Sequence, residues 1–189
     1  WIPESDVDVT DAPVAPPTQK ALFGYGSTGS DVSMTNLVNS SGVVATDTTG
    51  VGTGRQGAAA ASYGGDKAIF GYGWDGSANV SISNLVNNSG VVATDVTGVG
   101  TVRRALGAAG YGTDKAIFGY GKTSSVVSMS NLVSNSGVVA TDVTGVGTAR
   151  EIIAAAGYGS TGQALFGFGT ASSGNVSVTN LVSSSGVIA

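Results

Sequence analysis

The ionisable side chains of this sequence recur at fixed intervals, and what they can do depends on what stands beside them. Ala-Thr-Asp ends at Asp47, Asp95 and Asp142, and Gly-Val-Gly-Thr-x-Arg ends at Arg55, Arg103 and Arg150. Two carboxylates held roughly 5 to 9 Å apart would suit glycoside hydrolysis. No spacing here singles out such a pair. The sequence contains no His and no Cys, so His-based triads, thiol nucleophiles, Cys/His zinc sites and disulfides are excluded together. An Asp or Arg that returns once per interval reads first as a folding residue. A carboxylate caps turn amides, and a guanidinium bridges neighbouring segments through several donors.

Other chemical patterns carry less. G-x-G-x-x-G occurs at 24–29, 71–76 and 157–162, but a dinucleotide site needs a helix directly after the glycines, and none is predicted there. Asp31, Asp66, Asp75 and Asp114 sit in Gly-rich turns, yet no alternating Asp-x-Asp series marks a calcium loop. Asn-x-Ser at Asn39, Asn79, Asn87 and Asn175 is expected by chance in a Ser-rich chain. The sequence therefore implies no enzyme activity, no cofactor and no metal.

Positions that differ between otherwise similar segments are freer to serve contact. After each Phe-Gly-aromatic-Gly the chain reads Ser27-Thr28, Trp74-Asp75, Lys122-Thr123 and Thr170-Ala171, and after the repeated Arg it reads Gln56, Arg104 and Glu151. Loops on a rigid β scaffold commonly carry recognition, and an exposed aromatic beside polar groups suits stacking on a sugar ring. Trp74 and Asp75 are the first candidates for ligand or partner contact, followed by Lys122, Arg104 and Glu151.

The elements that position these residues follow from the repeat. Phe-Gly-(Tyr/Phe)-Gly starts at Phe23, Phe70, Phe118 and Phe166, at spacings of 47, 48 and 48, and Asn-Leu-Val starts at Asn36, Asn84, Asn131 and Asn180. Val, Ile, Thr and aromatics broken every few residues by Gly, Asn, Ser and Asp predict strands rather than helices. In the second copy the expected strands are 58–63, 67–72, 80–86 and 91–96. A period near 48 lies in the range of propeller blades, and small residues in each first strand suit a crowded axis where sheets converge.

The copies resemble the Kelch-type blade. Its Arg before the first strand corresponds to Arg55, Arg103 and Arg150, and its two glycines closing the second strand to Gly71/Gly73, Gly119/Gly121 and Gly167/Gly169, here split by Tyr or Phe. The family's last-strand Trp is absent. This resemblance implies an all-β, Kelch-like β-propeller, or a propeller arc, of about four four-stranded blades; a trimeric β-repeat fibre is the alternative. The wording KAIFGYG … NLV … SGVVATDVTGVGTAR is similar to repeat proteins encoded by marine tailed bacteriophages. That implies a non-enzymatic tail-fibre, decoration or adhesin module of a virion, or, as the alternative, an extracellular lectin-like propeller reading cell-surface glycans.

Composition bounds the partners. Of 189 residues 31 are Gly and only 11% are charged, against about 7% and about 25% in ordinary proteins. A net charge of −4 argues against nucleic-acid binding. Apolar stretches broken by Gly, Ser and Thr fall short of the ~20 residues of a spanning helix, so no membrane insertion is expected. Residues 1–19 hold all four Pro and read as an acidic tether, with Trp1 and Ile2 as anchors at a start that looks processed or partial; 20–189 form the repeat domain. The small-residue strand occurs only three times for four copies. The chain is thus expected to close as a compact ring, or to find its partner in itself as a homo-oligomer or in other virion proteins, because open sheet edges invite another chain.

Overall fold

A computed structural model describes residues 20–189; the leader and its anchors Trp1 and Ile2 lie outside the described residues. The fold is all-β, a row of small antiparallel sheets, one per copy with an extra two-stranded sheet in the fourth. The first copy is a hairpin, β1 (Ala21–Ser27) with β2 (Asp31–Val38). The second is β3 (Ala59–Tyr63), β4 (Lys67–Trp74) and β5 (Asn79–Val86), and the third is β6 (Gly107–Tyr111), β7 (Lys115–Gly119) and β8 (Ser130–Val133). The fourth has β9 (Ala154–Tyr158) and β10 (Gln163–Gly167), a short hairpin of β11 (Thr170–Ala171) and β12 (Gly174–Asn175), and β13 (Thr179–Val182). In each full copy the Phe-Gly strand is central, with the small-residue strand on one side and the Asn-Leu-Val strand on the other.

The fourth strand expected in each copy is present only as bridges. Val92 and Val96 pair with Val86 and Ser83, and Ala93 N–H donates to the Leu85 carbonyl at 2.8 Å. The segment touches its neighbour at Val91 to Ala93 and again at Val96, without a continuous ladder. No closed ring forms among the described residues; β3 lies against β6 and β6 against β9.

The central strands β4 and β7 are buried on both faces, since a sheet stands on either side of each. Phe70 faces the preceding copy, packing with Leu22, Tyr25 and Val51. Ile69, one residue away on the opposite face, packs with Ala116 and Phe118 of the following copy. The third junction repeats this with Ile117, Ala164 and Phe166. The core is thus divided into three clusters, one per junction, which explains why these strands read as unbroken apolar runs rather than alternating ones.

Small residues belong where the sheets come closest. A Cβ on Gly157 would lie 2.9 Å from the Gly110 carbonyl oxygen of the previous copy. The aromatic between the split glycines sits at a bulge: the β4–β5 register shifts between Gly71 and Gly73, with Tyr72 at φ 62°. Tyr25, Tyr120 and Phe168 adopt the same left-handed backbone, at φ 62°, 63° and 62°. Side chains are rare there and need outside support.

Candidate functional site

The repeated Arg, Asn, Asp and Tyr form a clamp around a buried Arg at each of the first two junctions, and at the third Arg150 lies over Tyr120 without engaging Asn180. Arg103 is fully buried; its Nε donates to the Tyr120 carbonyl at 2.9 Å, one terminal nitrogen to the Thr101 carbonyl at 3.1 Å, and the other to Asn131 Oδ1 at 2.6 Å. Its guanidinium carbon stands 4.2 Å from the ring centroid of Tyr72 in the preceding copy. The Tyr72 hydroxyl donates to the Val99 carbonyl at 3.2 Å, in the loop that leads to this Arg. Asn131 Nδ2 donates to the Ala140 carbonyl and to Asp142 Oδ1, both at 2.9 Å, and Asp142 accepts from the backbone and hydroxyl of Thr101. Arg55, Tyr25, Asn84, Asp95 and Thr53 repeat the arrangement.

These groups are tuned for holding. Burial pushes the Arg103 pKa down, partly opposed by Tyr72 and Asp142, and burial pushes the Tyr72 phenol up, away from ionisation. Burial works against the Asp142 carboxylate too, but hydrogen bonds from Thr101 and Asn131, together with Arg103, hold its pKa below the ordinary value. Asp95 is held down in the same way by Thr53, Asn84 and Arg55. Sequence reasoning registered the Asn only as part of a marker. Its presence in all four copies was the available signal that a side-chain amide links Arg to Asp.

The variable positions lie in a row along one rim. Gln56 pairs with Trp74 through two backbone hydrogen bonds of 3.0 and 2.9 Å, Arg104 with Lys122 at 3.0 and 2.8 Å, and Glu151 with Thr170 at 2.9 and 2.9 Å. Side chains then reach across the junctions. The Arg104 guanidinium stands 4.9 Å from the Trp74 ring centroid, and Lys122 Nζ donates to Glu151 Oε1 at 2.9 Å. Four of the five candidate residues are therefore brought together as two complementary pairs, a cation on an aromatic and an ion pair. Asp75 stands apart: its carboxylate accepts from the amides of Ala78 and Ser77 and from the Ser77 hydroxyl, and these bonds hold its pKa below the usual range.

At the first junction the same two positions hold Ser27 and Gln56, and there a groove of about 620 Å³ opens, walled by Asp31, Thr53, Trp74 and Asp75 as well. The short Ser27 stands where Trp74 and Lys122 fill the later junctions, so the space follows from the sequence difference. Among the described residues no three acidic side chains gather as a metal site. No family model and no curated protein matches the chain.

Proposed function

We propose that this chain is a non-enzymatic structural and recognition module of a phage particle, built as an arc of a Kelch-like propeller. One observation carries the reading: the three recurring Arg and the Tyr beneath them, with Asn84, Asp95, Asn131 and Asp142, side chains suited to chemistry, are consumed in the contacts between copies. What varies from copy to copy is left on a rim, which is how a rigid scaffold presents recognition surface. Gold-labelled antibodies against the chain should decorate purified particles of the source phage at the tail or surface. Particles that stay unlabelled, with no peptide of the chain in their mass spectrum, refute it. Class averages of the native assembly test the arc through its blade count.

The groove at the first junction favours a second reading, a lectin-like module that binds surface glycans. A polar trough walled by an indole and two carboxylates offers a stacking face and hydrogen-bond acceptors to a sugar. On a glycan array the chain should bind a defined subset, and Trp74→Ala should reduce that binding at least tenfold. An empty array, or binding indifferent to Trp74→Ala, removes the reading.

A further inference from the structure

Each junction seats a Phe in the same way, and this makes the two outer faces of the described residues interpretable. The Phe of the following copy seats on a glycine and a left-handed aromatic of the preceding one. Phe70 lies on Gly24 with its ring centroid 5.0 Å from Tyr25, Phe118 on Gly71 at 5.2 Å from Tyr72, and Phe166 on Gly119 at 5.3 Å from Tyr120. Seated in this way the three Phe rings are at most 5% exposed. Phe23, the same ring in the first copy, is 61% exposed. At the other end Gly167 and Phe168 form the same seat, and Phe168 is 58% exposed.

The seat is already shaped. Phe168 has the φ of 62° found at Tyr25 and Tyr72, and a Cβ placed on Gly167 would meet nothing nearer than the Thr179 methyl at 3.4 Å. Tyr158 and Leu181 flank it and are also exposed, whereas Tyr63 and Tyr111 are buried in the inner junctions. One residue differs from the inner seats, and the difference is informative. Tyr25, Tyr72 and Tyr120 each give a hydroxyl proton to a Val carbonyl in the following copy's Gly-Val-Gly-Thr-x-Arg loop and lie beneath that loop's Arg. Residues 1–22 contain neither that loop nor any Arg. The last seat carries Phe, which has lost the hydroxyl that would need that partner.

We propose that the Phe168 face of one molecule receives the Phe23 face of a second copy, continuing the row head to tail. The contact reproduces the apolar half of the inner junction and omits the polar half that neither face supplies. Its two sides are different surfaces, so association does not stop at a dimer but extends into a chain. The contact stands whether or not the module belongs to a virion.

Sedimentation of the whole chain over roughly 1 to 300 μM covers the affinities expected of so small an interface. The wild type should grow with concentration beyond twice the monomer mass. Phe23→Asp and Phe168→Asp, both at exposed positions, should each remain monomeric, because each has one ruined face. Mixed in equal amounts they should form a one-to-one dimer and nothing larger, since each supplies the face the other lacks. A wild type that stays monomeric throughout, a single variant that still associates, or a mixture that fails to pair would each overturn the proposal. If circular dichroism shows that an Asp variant has lost its fold, Phe23→Ser and Phe168→Ser take its place.

Discussion

Replacing Arg103 with Met tests how much of the stability resides in the clamps. The substitution keeps an apolar stem in the same space but removes the donors to Tyr120 and Asn131 and the cation over Tyr72. Two buried acceptors lose their partners, at about 1–3 kcal/mol each, and the desolvated cation–π contact adds about 2 kcal/mol. Relief of the desolvation of the guanidinium offsets part of this, leaving a net loss of about 4 kcal/mol, the range for removing one partner of a buried polar pair. Arg150 provides the internal comparison. Its Nε and one terminal nitrogen bond the Phe168 and Thr148 carbonyls, both at 2.9 Å, but the other reaches only the Phe166 carbonyl at 3.4 Å and does not engage Asn180. Arg150→Met should therefore cost about half as much, roughly 2 kcal/mol. Urea titration followed by circular dichroism and Trp fluorescence measures both from the shift in midpoint. Because a row of copies is coupled only through nearest neighbours, Arg103→Met should also split the transition in two. A loss below about 1 kcal/mol for Arg103→Met, or an equal loss for Arg150→Met, would refute the clamp as the main source of coupling.

The close approach at Gly71 predicts that Gly71→Ala, whose methyl would sit 2.7 Å from Phe118 Cζ, lowers the melting temperature by about 2–12 °C. Gly167→Ala, on the open seat, should change it little at micromolar concentration, and thermal melts of both proteins check the contrast. Tyr72→Phe should cost about 1 kcal/mol for the lost bond to Val99, while Phe168→Tyr should be neutral in the same urea assay. Asp95 and Asp142 titrate below the ordinary 3.8 when folded. Their contribution is thus complete above about pH 4 and is lost as the pH falls through the folded values. The Asp95→Asn/Asp142→Asn variant should show a flatter decline of melting temperature below pH 4, and an unchanged decline would disprove the assignment.

The repeat was legible because its markers are the residues that junction geometry cannot vary: the Phe that fills a seat, the glycines that admit it, and the Arg between copies. Strand positions followed from composition, although the stretch at 91–96 proved to be bridges, since a Val-rich segment with Gly90 before it and Asp95 turned toward Thr53 lacks a continuous partner. The rim was harder to read. Trp74 and Arg104, or Lys122 and Glu151, lie about 30 residues apart, and only the 48-residue step that superposes one copy on the next brings them together. Variation at these positions looked like freedom for contact, whereas the structure pairs four of the five across junctions. Nothing local in the sequence announces that a change in one copy is answered in its neighbour.

The left-handed aromatics also impose an order on synthesis. The ring of Tyr25 is not covered by its own copy; Arg55 and Phe70, which press on it, follow it by 30 and 45 residues. Tyr72 waits for Arg103 and Phe118, 31 and 46 residues on. At roughly 5–20 residues per second, each sheet leaving the ribosome keeps that face uncovered for about 2–9 s until its successor emerges. The nascent chain therefore always trails one unfinished sheet behind its growing end, and a pause in translation between copies prolongs the exposure of that sheet alone.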